Sequence, residues 1–255
     1  MLGWLLVAAG FWIAGALAES HAWRLSLWLA AIACEYLSPM IGFALPGLGR
    51  SSTREWTIEG GHLVERCQLF VIVALGETLL ASGAALTDAK AWDAGLLSAL
   101  GATFIGTLAM WWLYFGTSSK HACAVITASV DPGRIGAYFH YIHAILVAGV
   151  IGSAVGNDLV LAHPHAYLQT AQVLALVGGP AAYLLGSAVY KHVVYGCIPV
   201  SHVAGVLALL ALVPVGYGTH LLVMGWFTTG VLLAVGLWET RTHRQPALGA
   251  GRGRH

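Results

Sequence analysis

The sequence predicts an all-α, polytopic transmembrane bundle of about eight helices. Three observations carry that expectation. Of 255 residues, 58% are hydrophobic and 9% charged, whereas a soluble domain carries about 25% charged residues. So few charges cannot cover a protein of this length in water, but lipid accepts apolar side chains outward. The apolar residues gather into runs close to the roughly 20 residues that cross a hydrocarbon core. The basic residues then alternate between the connections of those runs in the way positive-inside topology requires.

Eight runs are readable: 2–18, 25–45, 63–86, 93–116, 134–156, 171–190, 199–217 and 219–239. They are too long and too uniformly apolar for strands, and lipid admits only helices or closed barrels. The first run has no basic residue before it, so it reads as a span rather than a secretory signal, despite Ala16-Leu17-Ala18. It enters the bilayer at once, which points to a preceding N-terminal portion. Leu45-Pro46-Gly47 stops the second run. Asp131-Pro132 reads as an N-cap followed by proline at the first helical position of the fifth. Gly178-Gly179-Pro180 is expected to kink the sixth, and Gly216-Tyr217-Gly218 separates the last two. Trp23, Trp28, Trp92, Trp111 and Trp238 fall near run ends, as an interfacial belt would place them. Gly152 and Gly156 have the spacing that lets two helix backbones approach closely. Gly106 and Gly116 read as packing glycines.

Numbering the connections alternately places ten of the twelve basic residues on one side. These are Arg50, Arg54, Arg66, Lys120, Arg134, Lys191, Arg241, Arg244, Arg252 and Arg254; only Arg24 and Lys90 fall opposite. With eight spans both termini are then cytoplasmic. Residues 1–240 form one transmembrane domain, and residues 241–255 a basic, disordered cytoplasmic tail. Cys67, Cys123 and Cys197 lie toward the reducing side; with Cys34 they form no CxxC pair. A net charge of +1 without a basic stripe excludes nucleic acid as a partner. The partner implied is the lipid bilayer, with a small ion or proton as cargo.

Ionisable groups inside a membrane are expensive and mark function by default. Glu35 sits at the middle of the second run and Glu77 near the middle of the third. These runs are consecutive and antiparallel, so the two carboxyls are expected to approach each other at mid-depth. Two carboxyls in a low-dielectric site share a proton or hold a cation between them. The alternative is that each is protonated and packs by hydrogen bonding. On the third run, His62, Arg66, Val73 and Glu77 fall within about 60° on a helical wheel. That face carries a base at its cytoplasmic end and an acid at mid-depth, as an ion path would need. Glu65 points off it and, with Arg66, serves equally well as a headgroup anchor. His62 and Glu65 do not make a zinc site, because position 66 is arginine where a zinc-binding pattern needs histidine. His140 and His143, with Tyr138 and Tyr141 nearby, form a possible polar relay; Asp158, His163 and His165 are expected in an external loop. No phosphate loop, nucleophile elbow or dinucleotide fingerprint is present. The expectation is therefore a non-enzymatic protein without metal or cofactor.

The stretch from Gly60 to Glu77, with His62-Leu63-Val64-Glu65-Arg66, Leu69-Phe70 and Leu75-Gly76-Glu77, resembles the bacterial low-temperature-requirement A (LtrA) family. So do Glu35-Tyr36 with Pro39, Leu45-Pro46-Gly47, Asp131-Pro132-Gly133-Arg134, the region Tyr141 to His143, Leu159 to Pro164, and Gly178-Gly179-Pro180. The likeness runs to about residue 240. Members of that family are usually longer and carry an early Glu-Leu-Phe-Phe-Asp-Leu-type motif that this sequence lacks. The chain is thus similar to the C-terminal two-thirds of a member. The acid-plus-Leu-Phe character of the early motif is similar to Glu65–Phe70, which would suit a duplicated, transporter-like architecture. The resemblance implies a multi-pass protein of the bacterial inner (cell) membrane. Its expected roles are a proton- or cation-linked transporter or channel or, alternatively, a structural or interaction protein of cold adaptation.

Overall fold

The structure, a computed structural model, describes residues 2–44, 47, 49, 60–88, 92–116 and 129–243. Leu45-Pro46, Arg50, Arg54, Lys90, Lys120, Cys123 and the tail from Arg244 to His255 lie outside the described residues. Eight helices are described: α1 (Leu2–Leu17), α2 (His21–Met40), α3 (Gly60–Asp88), α4 (Ala94–Phe115), α5 (Pro132–Ala162), α6 (Thr170–Tyr195), α7 (Val200–Gly216) and α8 (Leu221–His243). Each corresponds to one apolar run of the sequence, and no strand occurs among the described residues. The protein is an all-α membrane bundle. Helices α3, α4, α5, α6 and α8 are long and apolar enough to cross a bilayer, while α1 and α7 are shorter apolar helices. At ~1.5 Å per residue, the 16 residues of α1 extend about 24 Å.

The ends of the helices follow local chemistry. Asp93 caps α4 by accepting the Leu96 N–H at 2.7 Å. Asp131 accepts the Arg134 N–H at 3.0 Å, and Pro132 opens α5 as expected. A capping box between Gln169 and Gln172 starts α6; Gly196, at φ 71°, closes it in the left-handed conformation that glycine adopts without strain. The second run is displaced: α2 starts at His21 and stops at Met40, before the expected limit of 45. Pro39 enters its last turn, and Gly42 and Phe43 both turn to positive φ. Asp158, expected in a loop, lies inside α5, which runs six residues beyond the expected end at 156. Helix α6 continues through Pro180.

The helices fall into two compact units, Met1–Gly60 with Ile126–Tyr141, and Gly61–Val125 with Ile142–His255. In the first, α1 packs on α2, with Gly15 against the Trp28 indole. The Tyr141 hydroxyl donates to the Tyr36 carbonyl.

In the second unit, α4 packs on α8, α6 on α7 and α7 on α8. Small residues set these distances. A Cβ on Gly152 would come within 3.0 Å of the Gly179 Cα, and one on Gly179 would enter the backbone of Gly152 and Ser153. Helices α5 and α6 therefore touch backbone to backbone, through the Gly152–Gly156 spacing. Hydroxyls bridge other pairs: Thr78 to Thr107 at 3.2 Å, Thr229 to the Ala102 carbonyl at 3.0 Å, and Tyr183 to the Met110 carbonyl at 2.5 Å. Gly106 leaves room for Thr229, so its packing role holds. The α7–α8 turn is tied to the α5–α6 connection: Leu221 and Leu222 donate to the Ala166 and Pro164 carbonyls at 3.0 Å.

Candidate functional site

The residues singled out in the sequence fall in both units. In the first, Glu35 is exposed on α2 and accepts the Trp12 indole N–H at 3.0 Å. His140 is exposed, with its ring 6.2 Å from that of Tyr36.

In the second unit, α3 turns His62, Arg66, Val73 and Glu77 to one exposed face, while Val64, Cys67, Val71, Leu75 and Thr78 are buried on the other. The wheel expectation thus holds as a helix face. His62 and Glu65, both exposed, approach to 3.8 Å, a pairing worth little at a surface.

The costly groups are elsewhere. Among the described residues, the buried Lys, His, Asp and Glu side chains are His143, Lys191, His202 and Glu239. All belong to the second unit. Tyr114, near the end of α4, meets His143 Nε2 at 2.7 Å. The His143 ring stands edge-on to Tyr190, with centroids 5.4 Å apart. One helical turn carries Ser187 and Lys191 to a common face of α6. Ser187 meets His202 Nε2 at 3.0 Å, and Ser201 meets its Nδ1 at 3.2 Å. The Lys191 ammonium donates to Glu239 Oε1 of α8; their side chains are 3% and 5% exposed.

Together these groups join α4, α5, α6, α7 and α8 through polar and ring contacts toward one end of the unit. There α4, α6 and α8 finish and α7 begins. Beside the ion pair opens a cavity of about 570 Å³. Its walls include Tyr195, Pro199, Val200 and Trp238; Lys191 and Glu239 also line it. A buried ion pair is expensive to assemble, and removing one partner strands the other charge. Such a pair facing a cavity can hold a charged ligand group or exchange a proton.

Sequence reasoning singled out His143 and missed the others. Lys191 entered only as a topological anchor, because it lies near the end of a run; Glu239 closes the last run and drew no attention. The available signal was opposite charges at ends that the topology brings to one side.

The model of the bacterial low temperature requirement A protein (LtrA) family matches residues 1–237. The chain belongs to the LtrA family. An uncharacterized protein of Rhizobium meliloti (strain 1021) is 37% identical over 240 residues, covering 92% of this chain and 58% of the relative. The chain thus spans less than two thirds of that relative's length. No solved structure matches it. The matched region contains every buried ionisable residue named above except Glu239, which lies two residues beyond its end.

Proposed function

We propose that this LtrA-family chain is a proton- or cation-linked transporter or channel of the bacterial cell membrane, without a catalytic step of its own. The observation that carries this reading is the Lys191–Glu239 pair, buried between two helices and facing a cavity. Ionisable groups enclosed in a transmembrane bundle are retained where they serve a substrate or ion pathway. The exposed α3 face with His62, Arg66 and Glu77 supplies an entry path in this reading, with Glu65 at its rim. Glu35 and Glu77 remain its proposed ion-binding acids, and His140 and His143 its relay. The positive-inside count supports cytoplasmic termini.

The test is flux of protons and monovalent cations into liposomes holding the purified chain. Wild type conducts; Glu77→Gln and the double change Lys191→Met/Glu239→Leu abolish conduction while the protein stays folded. Unchanged flux in both variants removes the assignment. A second reading, a structural or interaction protein of the membrane, is favoured by the Trp12–Glu35 hydrogen bond, which uses that acid as a packing device. It expects function to survive Glu35→Gln and Glu77→Gln, and to fail on Gly152→Leu.

A further inference from the structure

The cavity between the ends of α6, α7 and α8 has a composition that selects a ligand class. Its volume, about 570 Å³, falls within the range of small-molecule pockets. Pro199, Val200 and the Trp238 indole give it apolar walls. The Lys191 ammonium and the Glu239 carboxylate, almost fully buried, add two opposite charges in contact at its wall. Ser201 and Thr242 supply hydroxyls alongside.

A buried neutral pair discriminates by charge balance. A ligand with one charge draws away one partner and leaves the other buried and unpaired, which is the costly state. A ligand that carries an ammonium and a carboxylate together replaces each partner with its equivalent, and the site stays neutral throughout. Its apolar body then takes the place of water against Trp238, Pro199 and Val200. The geometry points to a binding site for a small zwitterion with an apolar side chain, of the α-amino-acid type. The ammonium pairs with Glu239 and the carboxylate with Lys191. The inference supplies a substrate class for the transport reading above and rests on it for its purpose, but binding is measured without flux.

Cys197 lines the same cavity and is exposed, so its alkylation reports occupancy. In the full chain in detergent, Cys34→Ser, Cys67→Ala and Cys123→Ser leave Cys197 as the reactive thiol. Its maleimide labelling rate is measured with L-leucine, L-phenylalanine or L-tryptophan, and with phenethylamine and 3-phenylpropionate as singly charged counterparts. At least one of the amino acids slows labelling several-fold and the singly charged compounds do not. No protection by any amino acid, or equal protection by either counterpart, overturns the proposal. Lys191→Met/Glu239→Leu keeps the site neutral and loses protection; retained protection overturns the role of the pair. Should that variant fail to fold, Val200→Trp, which fills the cavity from its exposed rim, is expected to abolish protection instead, and protection that persists there overturns the site. Protection without ion flux removes the transport reading and leaves the site; flux without protection removes the site alone.

Discussion

Lys191 and Glu239 lie 48 residues apart and form a buried pair that tolerates the loss of both partners better than the loss of one. Losing one partner strands the other as a buried, unpaired charge. Lys191→Met is therefore expected to destabilise the chain by about 3–5 kcal/mol, while Lys191→Met/Glu239→Leu is close to neutral. Unfolding in mixed detergent and denaturant measures both, and additive losses would mean that the pair is not coupled. The Tyr114–His143 contact is a different case. Tyr114→Phe removes one buried hydrogen bond from a side chain that keeps its ring contacts with Phe115 and Tyr190. The expected cost is about 1 kcal/mol in the same assay. Of these groups only His143 stood out in the sequence. A buried lysine and a lysine anchoring a helix at the headgroups have the same local sequence. Only the neighbouring helix distinguishes them.

Among elements, α5 and α6 show how a short spacing becomes a contact. Gly178 has open space at its Cβ position, whereas Gly179 faces the α5 backbone. Gly179→Val is thus expected to cost about 1–3 kcal/mol by overpacking, whereas Gly178→Ala is expected to stabilise the chain by about 0.5–1 kcal/mol, because alanine is favoured over glycine in a helix interior. Equal effects at the two positions would show that the helices do not meet at Gly179. The helix ends were legible where a single residue type dictates them, as at Asp131-Pro132. They shifted where several weak signals compete, as at the end of α2, where Pro39, Gly42 and Phe43 all break the helix. The α7–α8 turn rests on Ala166 and Pro164 carbonyls some fifty residues away in the chain, a support that no local pattern announces.

For the whole molecule, the consequence to test is topology. Helix α6 has 26 residues and, at ~1.5 Å each, extends about 39 Å, more than a hydrocarbon core. The connections at its two ends are then expected to face opposite sides. Cys197 and a cysteine introduced at Tyr167, both exposed positions, are expected to react with an impermeant maleimide from opposite sides of sealed membrane vesicles. Labelling of both from one side would refute the span. The positive-inside count further expects Cys197 on the cytoplasmic side.

The sequence by itself determined the solvent, the secondary structure and the family. A helix that crosses lipid must be apolar over a certain length, and that requirement is written in composition and run length, residue by residue. The tertiary structure alone decided which ionisable groups are buried and which face a cavity. Glu77 and Glu35, conspicuous within apolar runs, are exposed on their helices, while Lys191 and Glu239, inconspicuous at run ends, are enclosed together. Burial is set by what a neighbouring helix places over a residue. That depends on contacts between positions distant in the chain, which no local window contains.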